Sequence, residues 1–173
     1  RRSAAEAEQS KSKMVKALLD GQATGALKGV LGRLGDLGAI DKKYDIAVST
    51  ACGGLDHIVV ENTSDAQHCL SYLRKHNLGV GTFLALDRQK HLVSKMKENV
   101  SNLENAPRLI DLIKPAEERL AVAFYMSLRD TCVAEDLEQA SRLAYGQTRR
   151  RVVTLQGQLI ETSGAMSGGG AKP

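Results

Sequence analysis

The sequence predicts an α/β protein of two related halves behind a short amphipathic helix, and three observations carry that prediction. Arg33-Leu34-Gly35-Asp36-Leu37 recurs 75 residues later as Arg108-Leu109-Ile110-Asp111-Leu112, an R-L-x-D-L match. The segments downstream of each copy keep the same order: Ile58-Val59-Val60-Glu61 answers to Cys132-Val133-Ala134-Glu135, Asp65-Ala66 to Gln139-Ala140, and Gly81-Thr82-Phe83-Leu84 to Val152-Val153-Thr154-Leu155. Glycine, with 16 residues in the chain, clusters where these segments join. A repeat this long is no solenoid unit. It reads as a duplicated α/β half, with function expected at the cleft or edges of the halves.

Taken in order, residues 3–20 read as a helix, because Ala4, Ala7, Met14 and Leu18 alternate three and four apart. Asp20-Gly21 is expected to end it. Gly21, Gly25, Gly29, Gly32, Gly35 and Gly38 then predict turns and tightly packed strand rather than helix. A helix over 42–52 stops at Gly53-Gly54, and 57–61 reads as strand. Thr63-Ser64-Asp65 is expected to cap a helix over 65–76 whose inner face is Ala66, Cys69, Leu70 and Leu73. Asn77-Leu78-Gly79 ends it, 81–86 is strand, and the polar stretch 88–105 is a helical connector. The second half repeats the series: helix over 117–128, strand over 131–134, Asp136 capping a helix over 137–145, strand over 151–155. It adds a hairpin through Gln156-Gly157 and a tail, Ser163 to Gly170, rich in glycine. The expected boundaries are 1–20, 21–104 and 105–173.

With 173 residues, 42% hydrophobic and 25% charged, the composition is that of one globular domain or two small lobes. Aromatic residues make up 3%, with no Trp, which argues against a stacking platform for single-stranded nucleic acid. A net charge of +4 is compatible with a nucleic-acid partner without requiring one. Cys52, Cys69 and Cys132 are odd in number and widely spaced, so buried reduced thiols are expected. No apolar run reaches the ~18 residues of a membrane span, so no membrane partner is expected. The chain begins without Met and ends in Gly-Gly-Gly-Ala-Lys-Pro, and is expected to belong to a longer protein.

Catalytic patterns are wanting. His57, His68, His76 and His91 lack metal-ligand spacing, there is no G-x-S-x-G elbow, and Cys52 would sit at the helix pole that disfavours a thiolate. Gly79-Val80-Gly81 precedes a strand, the reverse of a dinucleotide fingerprint, so no cofactor is expected. The duplicated Arg/Asp pairs read as structural bridges within each half. Arg149-Arg150-Arg151, with Lys11, Lys13 and Lys16, are candidate phosphate contacts. Glycine beside an exposed strand lets another chain add a strand through main-chain hydrogen bonds, which is pairing chemistry. A primarily nucleic-acid-binding module and a small-molecule enzyme using the inter-repeat cleft remain the alternatives.

Residues 29–37, Lys43-Tyr44-Asp45-Ile46-Ala47-Val48, residues 81–87, and Arg151 to Gly157 leading to Ser163-Gly164-Ala165-Met166-Ser167-Gly168-Gly169 together resemble the hinge domain of structural maintenance of chromosomes proteins. The resemblance spans roughly residues 22–170. Within that family the first motif is most similar to the condensin subunit that pairs with the other condensin hinge. Lys28, Leu31 and Ala85 depart from the family's common proline, aromatic residue and proline. The resemblance implies a two-subdomain hinge at the tip of a long antiparallel coiled coil, with residues 3–20 as the end of one arm. It implies no enzymatic activity for this segment, ATP hydrolysis belonging to head domains elsewhere. It also implies a nuclear, chromosome-associated location. Gly79, Gly81 and Thr82 would lie at one dimer contact, and Gly164, Gly168 and Gly169 at the other. DNA, single-stranded in many family hinges, would be a second partner, through Lys11, Lys13, Lys16, Arg149, Arg150 and Arg151. A weak homodimer would form in isolation.

Overall fold

The computed structural model describes residues 4–98, 103–146 and 149–168. In chain order these form α1 (Ala4–Ala23), β1 (Val30–Arg33), β2 (Gly38–Ala39), α2 (Asp45–Ala51), β3 (Ile58–Val60), α3 (Thr63–Lys75), β4 (Phe83–Ala85), α4 (Val93–Lys97), α5 (Leu109–Leu112), β5 (Lys114–Pro115), α6 (Ala121–Leu128), β6 (Cys132–Ala134), α7 (Leu137–Ala144), β7 (Val152–Thr154), β8 (Leu159–Ile160) and β9 (Met166–Ser167). The α/β class and the repeated order are as the sequence predicts.

Contacts divide the chain otherwise than the expected boundary at 104/105. One unit holds the residues up to Leu37 with Gly54–His91, and the other holds Gly38–Gly53 with the residues from Leu92 onward. The reason is local. β2 pairs with β5, the Arg151 guanidinium donates to the Ala51 carbonyl at 3.0 Å, and a Cβ at Gly157 would lie 2.9 Å from Ile46. These ties fasten residues 38–53 to the second unit.

In the first unit the sheet runs β1-β3-β4, with β1 antiparallel and β4 parallel to β3. Its core joins Met14 and Leu18 of α1, Val30, Ile58, Val60 and Ala85 of the strands, and Cys69 and Leu73 of α3. α1 does not stop at Asp20-Gly21. A Cβ at Gly21 would lie 3.1 Å from Leu27 and Tyr72, so this glycine serves close packing inside the helix. At the helix end Gln22 donates to the Val30 carbonyl and accepts from the Val30 N–H, stitching the tail of α1 to β1. The chain turns instead at Gly25, whose φ of 87° suits glycine. α3 is capped by Asn62, whose side chain accepts from Asp65 N–H, and not by the Thr63-Ser64-Asp65 run. Leu70, assigned to its inner face, is 49% exposed, while Asp65 is buried.

In the second unit β6, β7, β8 and β9 are neighbours in that order, with β6 and β7 parallel and the remaining pairs antiparallel. The predicted hairpin at Gln156-Gly157 therefore forms. Ala134, Ala140, Leu143, Ala144, Val152 and Ile160 pack under α7, and Val122, Phe124, Tyr125 and Leu128 of α6 are buried. Asp136 caps α7 as predicted, accepting from Gln139 N–H at 2.8 Å. The expected 88–105 helix is reduced to a 3-10 turn over 86–92 followed by the five-residue α4. All three cysteines are free and buried. No helix among the described residues is long and apolar enough to cross a membrane.

Candidate pairing edges and basic cluster

The duplicated motif is a folded knot in each half. Arg33 and Arg108 both sit in extended backbone, φ −71° and −70°, immediately before a helical turn. The next residue, Leu34 or Leu109, is fully buried and donates its N–H to the His57 or Thr131 carbonyl. Each arginine turns back onto the aspartate three residues on, at 3.2 Å for Asp36 and 2.9 Å for Asp111. Each also meets a second aspartate placed two residues before the next strand, Asp56 at 3.9 Å and Asp130 at 2.7 Å. The pairs are structural, as the repeat implies.

Each sheet ends on a strand with one unpaired edge. In the first unit this is β4, and its lead-in carries three of the predicted contact residues. Gly79 is exposed with φ 100° and open space at its Cβ position, and Val80 beside it is 93% exposed. Gly81 faces inward, since a Cβ there would lie 2.9 Å from the Met14 sulfur. Thr82 is exposed and its carbonyl accepts from Ile58 N–H. In the second unit the terminal strand is β9, whose Met166 is 54% exposed. Gly164, with φ 96°, offers its carbonyl to the Tyr145 hydroxyl at 2.8 Å. Gly168 lies against Gln158, and Gly169 falls outside the described residues.

The six candidate cations do not behave alike. Lys13 and Lys16 are exposed on α1 in the first unit, and the Lys11 side chain is outside the described residues. Arg149, Arg150 and Arg151 belong to the second unit. Arg149 lies over the Tyr145 ring, 5.5 Å from its centre. Arg150 reaches the Cys132 thiol, which burial pushes above the ordinary thiol range while Arg150 pulls the other way. Arg151 turns inward: its Nε meets Glu161 at 2.8 Å, and its Nη1 donates to the Ala51 carbonyl and the Thr131 hydroxyl. That arginine is a strut.

The sequence pattern does not reveal Arg129. It follows α6 with φ 48° and ψ −129°, and it lines a cavity of about 400 Å³ together with Asp130, Thr131, Arg149 to Arg151 and Thr162. Nothing local marks it, since a helix normally leaves through a positive φ at glycine.

With this geometry established, the chain can be set beside known proteins. The family profile described as the SMC proteins Flexible Hinge Domain matches residues 27–144. Structural maintenance of chromosomes protein 4 of Mus musculus is 52% identical over 164 residues, covering 94% of this chain and 13% of that protein. The protein of the same name from Saccharomyces cerevisiae is 51% identical over 162 residues, covering 94% of this chain and 11% of that protein. Among solved structures, an asymmetric dimer of the Geobacillus stearothermophilus SMC hinge domain matches with a TM-score of 0.72 and 27% identity, over 96% of this chain and 75% of that one. The chain thus spans only a small part of its curated relatives. It belongs to the SMC flexible hinge domain family.

Proposed function

We propose that this chain is the pairing module of a condensin subunit, joining the hinge of the other condensin subunit head to tail. The observation that supports this most is the pair of unlike, unpaired strand edges: β4 with exposed Val80 at its entry, and β9 with exposed Met166. An open edge offers main-chain hydrogen bonds to an incoming strand, and the neighbouring apolar side chain adds burial. The solved relative described as a dimer of a bacterial hinge supports the same reading. On this reading Gly79 and Thr82 flank one contact, and Gly164 and Gly168 shape the other. Gly81 supports the first from inside.

Val80→Glu and Met166→Glu change exposed side chains, so each leaves the monomer folded. Sedimentation velocity against the partner hinge should show pairing weakened by either variant and abolished by the two together. Unchanged association in the double variant would sink the edge assignment. DNA contact is a second activity of the same module, supported by the exposed Lys13, Lys16 and Arg149. The module then acts on chromosomes, in the nucleus, and catalyses nothing itself. A module whose main business is nucleic acid is the rival reading, favoured by the arginine-lined cavity; it predicts DNA affinity that survives loss of pairing.

A further inference from the structure

β6 and β7 are parallel neighbours in register, Cys132 beside Val152, so the residues entering the two strands lie side by side. Arg129-Asp130-Thr131 enters β6 and Arg149-Arg150-Arg151 enters β7, and both runs line the same cavity of about 400 Å³. Two of its charged groups are already neutralised. Asp130 is held by Arg108 at 2.7 Å and by the Tyr125 hydroxyl at 3.0 Å, and Arg151 is held by Glu161 at 2.8 Å. Arg149 instead rests on a neutral ring, and Arg129 donates to the neutral Met126 carbonyl at 3.4 Å, so neither contact cancels a charge. Arg150 adds a third guanidinium beside the Cys132 thiol. The first half supplies an internal control. The corresponding entries to β3 and β4 carry Leu55 and the run Leu78-Gly79-Val80, with no cation.

Arg129 adds a second observation. Its φ of 48° is one that non-glycine residues rarely adopt, and its N–H is fixed to the Tyr125 carbonyl at 2.7 Å. Strained backbone is kept where it serves a site. Guanidinium groups match the several oxygens of a phosphate, and a cavity of this size takes a chain of phosphates but not a duplex.

We propose that this cavity is a phosphate site that takes the backbone of a single nucleic-acid strand, with Arg129, Arg149 and Arg150 as its cations and the Thr162 hydroxyl at its rim. The proposal rests on the DNA contact proposed above and gives it a place. It replaces Arg151 by Arg129.

The test is fluorescence anisotropy of a labelled single-stranded oligonucleotide over a salt series, with the full 173-residue chain. Arg129→Gly and Arg149→Ala should each weaken binding several-fold and each reduce the slope of log affinity against log salt by about one. Arg129→Gly should not lower the melting temperature, because glycine suits that φ, so lost affinity there is not lost fold. Inorganic tripolyphosphate should compete with the oligonucleotide in the wild type and fail to bind Arg129→Gly. Unchanged affinity and slope in both variants overturn the site. If Lys13→Ala with Lys16→Ala abolishes binding while the arginine variants keep it, the DNA reading survives and the cavity is wrong. If the oligonucleotide does not bind but tripolyphosphate does, through Arg129, the strand is overturned in favour of a free polyphosphate. Displacement by polyglutamate as effective as by tripolyphosphate would reassign the site to an acidic protein segment.

Discussion

The two copies of the R-L-x-D-L knot share backbone, spacing and partners, yet differ in depth. Arg33 is 20% exposed, with its two aspartates at 3.2 and 3.9 Å. Arg108 is 7% exposed, with 2.9 and 2.7 Å in the same places and the Met96 carbonyl at 2.9 Å as an added acceptor. Burial by itself would pull the Arg108 pKa down, but Asp111 and Asp130 outweigh it and hold it above the ordinary value. The same five letters thus make a solvated clasp in one half and a buried one in the other. Surroundings, not the motif, set what the clasp contributes.

Removing each arginine should break the symmetry most. Arg108→Ala leaves Asp130 half-desolvated and the Met96 carbonyl without its donor, and should cost about 3–5 kcal/mol in urea unfolding. Arg33→Ala should cost about 1 kcal/mol or less, because water replaces the guanidinium. Equal losses would mean that burial does not distinguish the knots.

The helix caps give a comparison of opposite sign. In the second half Gln139 accepts from Glu135 N–H at 2.9 Å and donates to the Glu104 carbonyl at 2.9 Å, bridging two strand-end groups. In the first half the equivalent groups, Glu61 N–H and Gly29 carbonyl, bond to each other at 2.8 Å. Asp65, at the place of Gln139, is left buried with an unpartnered Oδ1, pressed against Gly29 where no Cβ would fit. Gln139→Ala should therefore destabilise by about 1–2 kcal/mol, while Asp65→Ala should stabilise by about 1 kcal/mol. Destabilisation by both would show that Asp65 has a partner of its own.

Tyr125 has no counterpart in the first knot. Burial, and then its hydrogen bond to Asp130, push its phenol up to about 12. A raised folded-state value means the contribution is complete below the unfolded tyrosine pKa near 10 and is lost as pH rises toward 12. Wild-type stability should fall over that window more steeply than that of Tyr125→Phe, measured as the difference between the two curves. The smallest effect is expected at Arg129, where glycine should add about 1 kcal/mol by relieving the positive φ.

Much of the fold is legible in the chain. The R-L-x-D-L repeat marks the two knots, and the order of apolar runs marks both parallel strand pairs and the β7–β8 hairpin. Asp136 announces its cap because its side chain has no rival, whereas Asn62 is hidden beside the more conspicuous Thr63-Ser64-Asp65. Gly21 misleads, since close packing against Tyr72 and a turn demand the same residue. Leu70 obeys the helical spacing but not the width of the face that the sheet covers. The β4 and β9 glycines draw notice for their backbone freedom, yet Gly81 serves the interior. Arg129 cannot be read locally, because its companions arrive through the parallel pairing of β6 with β7.

The placement of residues 38–53 in the second unit governs how the protein can be made. As the chain is synthesised from its N-terminus, that segment appears long before the strands it will join. Ala51 must wait for Arg151, 100 residues later. Contacts so far apart in the chain close slowly, at an entropic cost that later packing must offset. The second unit is therefore a late product of translation. A nascent chain released after residue 104 would expose the apolar face of α2, Ala47, Val48 and Ala51, to whatever chaperone is nearby.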